Sequence, residues 1–179
     1  MPEETRWLDD ADADAWLHLV AVMELLPSAL DTQLGRDAGL SFTEFLVLLQ
    51  LADGPDRTLR LTDLAASVNA GLPRTSRMVA RLEQAGLVRR EVAAGDARSR
   101  LVSLTPEGWT RLSEAAPPHV ALVRKLVMDR LTSEQLGQLA EITTVLAQGL
   151  DPARRVLGST FAARARPGLS APPDGPAAP

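Results

Sequence analysis

The stretch from Leu61 to Leu87, LTDLAASVNAGLPRTSRMVARLEQAGL, constrains the fold most, because its pattern predicts two short helices around a tight turn. Thr62 can cap the first helix with its hydroxyl. The turn falls at Asn69-Ala70-Gly71, where Asn and Gly tolerate backbone angles that bulkier residues resist. Pro73 lies in the first turn of the second helix, where its missing N–H costs little. The stretch therefore predicts a helix-turn-helix.

The second helix of this pair has an apolar side and a cationic side. On a helical wheel the apolar residues that cluster together are Met78, Val79 and Leu82. A helix packed by that side would present Ser76 and Arg77 outward, as an element that enters the DNA major groove requires. Arg74 and Arg81 lie on the flank between the two sides. The alternative is an ordinary surface helix with solvated arginines.

A β-hairpin is predicted after the second helix. Residues 87–92 have the β-branched content of a strand, and residues 100–104 provide its partner. The connection between them, residues 93–99, is rich in turn residues and ends in cations. A helix-turn-helix followed by a hairpin with basic residues near its tip is the winged-helix arrangement.

Three short motifs follow one another in the order and spacing of the MarR family of bacterial transcription regulators, and they are Gly86-Leu87-Val88, Asp96-Ala97-Arg98 and Leu104-Thr105-Pro106-Glu107-Gly108. The chain resembles that family over roughly residues 11 to 150. The resemblance implies a mainly α fold with a small β-hairpin wing, in which a winged helix-turn-helix domain is joined to a helical dimerisation layer from both chain ends. The chain departs from the family at Gly71, where a capping serine is common, and at Pro73-Arg74, where small hydroxyl residues are common.

The expected domain organisation has four parts. Residues 1–36 form an N-terminal segment with a dimerisation and core helix, residues 37–104 the DNA-binding region, residues 105–150 the C-terminal dimerisation helices, and residues 151–179 a disordered tail rich in Ala, Pro and Gly. The amphipathic terminal helices could instead close a monomer. A homodimer is favoured, because two-fold symmetry lets two reading helices meet successive major grooves of a pseudo-palindromic operator.

The charge of the chain is divided unevenly along its length. Residues 57–111 hold ten arginines and five acidic residues, a net charge of +5, whereas the remainder holds nine basic and eighteen acidic residues, a net charge of −9. A basic module set in an acidic body is the electrostatic pattern that phosphate binding needs, because neutralising phosphates releases counterions.

Composition argues against several other classes of function. The chain has no cysteine, which removes disulfides, thiol redox switches and zinc–thiolate sites. Its two histidines, His18 and His119, show no metal-binding spacing, so neither a metal nor a cofactor is expected. No nucleophile motif or phosphate-cradling loop indicates an enzyme. No apolar run reaches the roughly 18 residues of a membrane span and the N-terminus is acidic, so a cytoplasmic protein without membrane contact is expected.

The candidate DNA contacts fall into three groups. Contacts to base edges are expected from the start and outer side of the second helix, at Pro73, Arg74, Ser76 and Arg77. Contacts to phosphate are expected from Thr62, Thr75, Arg81 and Arg100. For Arg81 an intramolecular ion pair is an equal alternative. The family's Asp-x-Arg pattern implies that Arg98 enters the minor groove with Asp96 paired to it, and the alternative for Arg98 is a plain hairpin cation.

The resemblance also implies an effector site. Regulators of this kind often respond to small lipophilic or anionic aromatic molecules in a cleft between the dimerisation layer and the DNA-binding region. The candidate lining residues are Trp16, Met23, Phe45, Trp109 and His119. The alternative is that these large side chains are core or surface residues.

These observations predict a sequence-specific double-stranded DNA-binding transcriptional regulator. The family resemblance further implies a dimeric repressor that a small-molecule effector releases. The rival hypothesis is a winged helix that makes only protein contacts, since a fold does not fix a function. A protein-binding version has no need of cations on both the helix and the wing.

Overall fold

The computed structural model describes residues 5–93 and 96–158, and it leaves the side chains of residues 96–98 outside the description. Its elements, in chain order, are α1 (Asp10–Ala38), α2 (Phe42–Asp53), β1 (Thr58–Arg60), α3 (Leu61–Ser67), α4 (Leu72–Gln84), β2 (Val88–Ala93), β3 (Asp96–Leu104), α5 (Pro106–Leu126) and α6 (Ser133–Leu150). Short 3-10 turns cover Pro55–Arg57 and Met128–Arg130. The predicted mainly α fold with a hairpin wing is confirmed.

Two of the helices begin at capping boxes. Ser41 and Glu44 bond each other's backbone N–H at the start of α2, and Thr132 and Gln135 do the same at the start of α6. Such reciprocal bonds satisfy amide groups that the first turn of a helix leaves free. Thr62 has no such role: α3 begins one residue earlier, with Arg60 in the cap position and no side-chain cap. The prediction of a Thr62 cap is therefore wrong.

A three-stranded antiparallel sheet flanks α3 and α4, with the strand order β1-β3-β2. The β2–β3 pair is the predicted hairpin, called the wing below, and both strands reach further towards its tip than the sequence indicated. The third strand, β1, was not predicted, because three residues are too few to show an alternating pattern. The hydroxyls of Thr58 and Ser103 lie 2.8 Å apart across the β1–β3 pair.

The elements from α2 to β3 are called the winged-helix module below. A single apolar core is shared by this module and by the adjoining ends of α1 and α5. Its most deeply buried members include Leu34, Leu48, Leu51, Leu64, Val79, Leu82, Val102 and Leu112. The core draws on every helix from α1 to α5 and on the sheet, so the position of α4 is fixed from several directions at once.

The end of α4 and the start of α5 meet at a tight corner. Gly86 ends α4 in the left-handed conformation, with φ +75°. The Thr105 hydroxyl donates to the carbonyl of Gly86 (2.7 Å), and the Thr105 amide donates to the carbonyl of Leu87 (3.1 Å). Gly108 packs directly against Leu87. The Gly-Leu-Val and Leu-Thr-x-x-Gly motifs of the sequence therefore meet in space.

The helix α5 runs without interruption through Pro117 and Pro118. Each proline inside a helix removes one helical hydrogen bond, which usually breaks or bends the helix. The two prolines are exposed, and so are Ser113 and Glu114, whose carbonyls lose their partners. Solvent can satisfy those carbonyls, which is a reason that the helix tolerates the prolines.

Two helices present broad apolar surfaces to solvent in the single chain. The first half of α1 exposes Trp16, Leu17, Leu19, Val22, Met23 and Leu25, and α6 exposes Leu139, Ile142, Val145, Leu146 and Leu150. By length and composition, α1 is also apolar enough to cross a membrane. The sequence-based statement that no run reaches that length is therefore corrected. Asp14 and Glu24 are the only Asp, Glu, Lys or Arg residues between positions 13 and 30, so this stretch of the helix is strongly apolar.

The segment after α6 returns to the winged-helix module. The amide of Leu157 donates to the carbonyl of Ser67 at the end of α3 (2.9 Å), and the amide of Val156 donates to the carboxylate of Asp151 (2.8 Å). The predicted disordered tail over 151–179 is therefore wrong for residues 151–158. Residues 159–179 lie outside the described part of the chain.

The corner at Gly108 generates a stability prediction. A Cβ on this residue would lie 2.0 Å from the carbonyl oxygen of Leu87, and a backbone oxygen cannot move aside cheaply. We expect Gly108→Ala to lower the free energy of unfolding by about 1–3 kcal/mol, the usual range for overpacking. Urea denaturation followed by circular dichroism measures the change.

Gly137→Ala in α6 is the matched control. A Cβ at Gly137 meets no atom within 4 Å in the described chain, so this variant should gain about 0.5–1 kcal/mol from helix propensity. A Gly108→Ala protein as stable as the wild type would contradict the close packing of this corner.

Candidate nucleic-acid interface

The helix α4 packs through its apolar side and exposes a cationic side, as predicted. Val79 and Leu82 are almost completely buried, whereas Pro73, Arg74 and Arg77 are exposed. Ser76 is half-buried beside them. Within the described residues, neither Arg74 nor Arg77 forms an ion pair. Both guanidinium groups are therefore available to an anionic partner.

The first turn of α4 carries no side-chain cap and no acidic residue. Its cap position is Gly71, which has φ −65°, and Pro73 follows in the first turn. The left-handed residue of the turn is Asn69, with φ +49°. Of the two residues predicted to take an unusual backbone conformation, Asn69 does so and Gly71 does not. The first turn of α4 therefore supplies no negative side chain of its own to offset the positive end of the helix dipole.

Thr75 belongs to the buried side of α4. Its side chain is inaccessible to solvent, and its hydroxyl donates to the carbonyl of Gly71 (3.2 Å). Thr75 precedes Val79 by four residues, which places both on the same face of a helix. The prediction that Thr75 contacts phosphate is therefore wrong.

Arg81 is held by a partner within the chain. Its Nε donates to Oε1 of Glu44 (2.5 Å), and its Nη2 contacts Oε2 of the same carboxylate. This bond, followed by the charge of Glu44, raises the pKa of Arg81. The ion-pair alternative is therefore the one that the structure supports, and we withdraw Arg81 from the candidate phosphate contacts.

The end of α4 is tied to the wing by a second ion pair. The Arg90 side chain donates through Nε to Oε2 of Glu83 (2.8 Å), and the Arg90 amide donates to Oε1 (3.0 Å). These bonds lower the pKa of Glu83. Sequence reasoning missed both the Glu44–Arg81 pair and the Glu83–Arg90 pair, because the partners are distant in sequence or separated by a turn.

Two of the remaining predicted DNA contacts, Thr62 and Arg100, are exposed on elements other than α4. Thr62 is exposed in the first turn of α3, and Arg100 is exposed on β3. Arg60, at the end of β1, donates through Nη1 to the Ser99 hydroxyl (2.8 Å) and links the outer strand to the wing. Asp96 and Arg98 lie on β3, but their side chains are outside the described part.

The five candidate effector residues do not gather into one pocket within the single chain. Phe45 and His119 pack together, with ring centroids 4.5 Å apart. Trp109 instead lies under the guanidinium of Arg57, 4.3 Å from its ring centroid. The two α1 candidates, Trp16 and Met23, are about half exposed. Within the described residues no group of three or more acidic or histidine side chains could hold a metal ion.

Comparison with known proteins finds a MarR family model, MarR family structures and other transcriptional regulators. The family model described as MarR family matches residues 38–99. The transcriptional regulator HosA of Escherichia coli is 36% identical over 102 residues, which cover 56% of this chain and 67% of HosA.

Solved structures extend the likeness to most of the chain. Sco3205, a MarR family transcriptional regulator from Streptomyces coelicolor in complex with DNA, has a TM-score of 0.79 and 42% identity and covers 83% of this chain and 92% of its own. AbsC, a MarR family transcriptional regulator of the same organism, has a TM-score of 0.76 and 34% identity, with coverages of 82% and 98%.

The burial of His119 generates a pH prediction. Burial lowers the pKa of His119 below its ordinary value of 6.5, and its Nδ1 has no hydrogen-bond partner in the described chain. The unfolded chain therefore takes up this proton first as the pH falls, so the folded state loses stability below about pH 6.5. We expect His119→Phe to weaken that loss, measured as the difference in urea unfolding free energy between about pH 7.5 and pH 5.5.

The control for this prediction is His18→Gln, because His18 is exposed on α1. That variant should keep the wild-type dependence on pH. An equal loss of stability in the wild type and His119→Phe would show that another group causes it.

Proposed function

The chain belongs to the MarR family, and from that premise we propose that it is a sequence-specific double-stranded DNA-binding transcriptional regulator whose recognition helix is α4. The observation that carries the proposal is the outer side of α4. Arg74 and Arg77 are exposed there without an ion pair among the described residues, beside an uncapped helix start. A helix held by its apolar side with free arginines outward suits the major groove.

In this mechanism the base edges are read from the first two turns of α4. Arg77 offers two donors to a guanine, and Ser76 contacts a neighbouring base edge. Pro73 and Arg74 face the DNA at the start of the helix. The free amides of this turn and the Thr62 hydroxyl on α3 contact phosphate and set the register.

The wing contributes a second contact. Arg98 enters the minor groove near the tip of the wing, and Asp96 fixes its direction by pairing with it. Arg100 follows on β3 as a phosphate contact. This assignment rests on the Asp-x-Arg motif and on the place of β3 in the wing, whose other strand, β2, contacts the recognition helix.

The protein acts as a homodimer through the exposed apolar surfaces of α1 and α6. The domain assignment is residues 1–36 and 105–150 for the dimerisation layer and residues 37–104 for DNA binding. Coverage by a second subunit accounts for the apolar character of α1 without a membrane, and a cytoplasmic location follows from the regulatory role. Two-fold symmetry calls for a pseudo-palindromic operator.

We further propose that the protein represses transcription and that a small lipophilic or anionic aromatic molecule releases it. Phe45 and His119, which join α2 to α5, are the centre of the proposed effector site. A ligand there would act by favouring a spacing of the two recognition helices that does not fit the operator. The relatives are transcriptional regulators, and we propose no catalytic activity for this chain.

The proposal predicts the effect of Arg77→Ala on DNA binding. Labelled duplex from the DNA flanking the protein's own gene is titrated by fluorescence anisotropy at several salt concentrations, with and without unrelated DNA. The wild-type protein should bind the operator duplex tightly and lose affinity steeply as the salt concentration rises. Its complex with the operator duplex should persist when unrelated DNA is added. Arg77→Ala should weaken operator binding by about 1–3 kcal/mol and leave binding to unrelated DNA nearly unchanged, because a bidentate base contact is lost.

Arg155→Ala is the matched control, since Arg155 is an exposed arginine after α6, outside the dimerisation layer, and pairs with Asp151. It should bind both duplexes as the wild type does. Two results would favour the protein-contact alternative. In the first, unrelated DNA abolishes the binding of the wild-type protein. In the second, the wild-type protein binds neither duplex.

A further inference from the structure

We propose that Glu44 is a positioning residue for operator recognition, acting through Arg81 to fix the recognition helix α4. The inference rests on the proposed function, and it concerns a residue of α2 that faces the protein interior. Glu44 lies outside the helix-turn-helix stretch from which DNA contacts were predicted.

The Glu44 carboxylate is a junction between two helices. It is 1% exposed, and it accepts from the amide of Ser41 (2.8 Å), the hydroxyl of Ser41 (3.0 Å) and the guanidinium of Arg81. A buried carboxylate is stable only when such partners satisfy its lone pairs. The same group therefore completes the capping box of α2 and fixes the last turn of α4.

The junction continues into α1. The carboxylate of Asp31 accepts from the amide of Phe42 in the first turn of α2 (2.8 Å). Asp31 also adds to the negative field that raises the pKa of Arg81. A line of polar contacts thus runs from α1 through the start of α2 to the recognition helix.

The position of Arg81 on α4 makes this contact relevant to base reading. Arg81 lies four residues after Arg77 and seven after Arg74, so the three lie along the same region of the helix. All three border one cleft of about 330 Å³ together with Asp31, Ser41 and Glu44. An error in the rotation of α4 at Arg81 would displace Arg77 from a base edge.

The two partners differ in exposure, and this difference allows a direct test. The Arg81 side chain is 65% exposed, whereas Glu44 is 1% exposed. If Glu44 loses its charge, Arg81 is released at the surface and can reach a phosphate. The Glu44→Gln substitution keeps the shape of the side chain and removes the charge that holds Arg81.

The test measures binding of the full chain to the operator duplex and to unrelated duplex by anisotropy. Glu44→Gln should weaken operator binding by about tenfold, the size of one lost base contact, and bind unrelated DNA as tightly as the wild type or tighter. The slope of log affinity against log salt should become steeper by up to about 0.9 per subunit that gains a phosphate contact. Loss of folded protein alone would lower both affinities by the same factor.

Arg81→Lys is the second variant, and it decides the question if Glu44→Gln does not fold. Lysine keeps the positive charge but lacks the two-donor fork that binds the carboxylate. A positioning role predicts a lower ratio of operator to unrelated binding, whereas a phosphate contact predicts an unchanged ratio. Arg155→Gln, which breaks the ion pair of an exposed arginine with Asp151 after α6, is the control and should change neither affinity.

Hydrogen exchange of the free protein gives a readout without DNA. Amides of α4 should exchange faster in Glu44→Gln, relative to those of α5. If the wild type and Arg77→Ala behave as proposed while both junction variants keep the wild-type ratio, the positioning role is overturned and the proposed function stands. If the wild type shows no preference for any operator, the proposed function fails and the positioning role fails with it.

Discussion

The burial of Val79 and Leu82 against the core is the constraint on which the rest of the structure depends. These two side chains determine the rotation of α4, and that rotation decides which residues reach the surface. Arg74 and Arg77 face solvent because the opposite side of α4 packs in the core. Thr75 lies on that packed side, so it cannot contact DNA. A change in this packing would alter every proposed base contact together, whereas a surface substitution alters one.

Polar contacts add to the apolar packing in fixing the position of α4. The first turn of α4 has no side-chain cap among the described residues. The last turn of α4 is held to α2 by the Glu44–Arg81 pair and to the wing by the Glu83–Arg90 pair. The module thus binds Arg81 and Arg90 internally and leaves Arg74 and Arg77 without an ion pair among the described residues. The acidic remainder of the chain, with a net charge of −9, opposes binding away from this surface.

Features that depend on neighbouring residues could be predicted from the sequence, and features that depend on tertiary contacts could not. The capping box at Ser41, the left-handed Asn69 and the two faces of α4 all follow from local spacing. The partner of Arg81 is 37 residues away in sequence, so no helical wheel could choose between phosphate and Glu44. The candidate effector residues do not form one site in the single chain. Trp109 packs against Arg57, whereas Trp16 and Met23 lie on the exposed surface of α1 that a second subunit is proposed to cover.

The central claim is that two copies of α4 read one operator from the same face of the duplex. Hydroxyl-radical footprinting of the wild-type protein on its operator, combined with methylation interference at guanine N7, tests it most directly. The account predicts two protected segments centred about one helical turn apart, with interference at guanines inside each. A single protected segment, or protection without interference at any guanine, would contradict it.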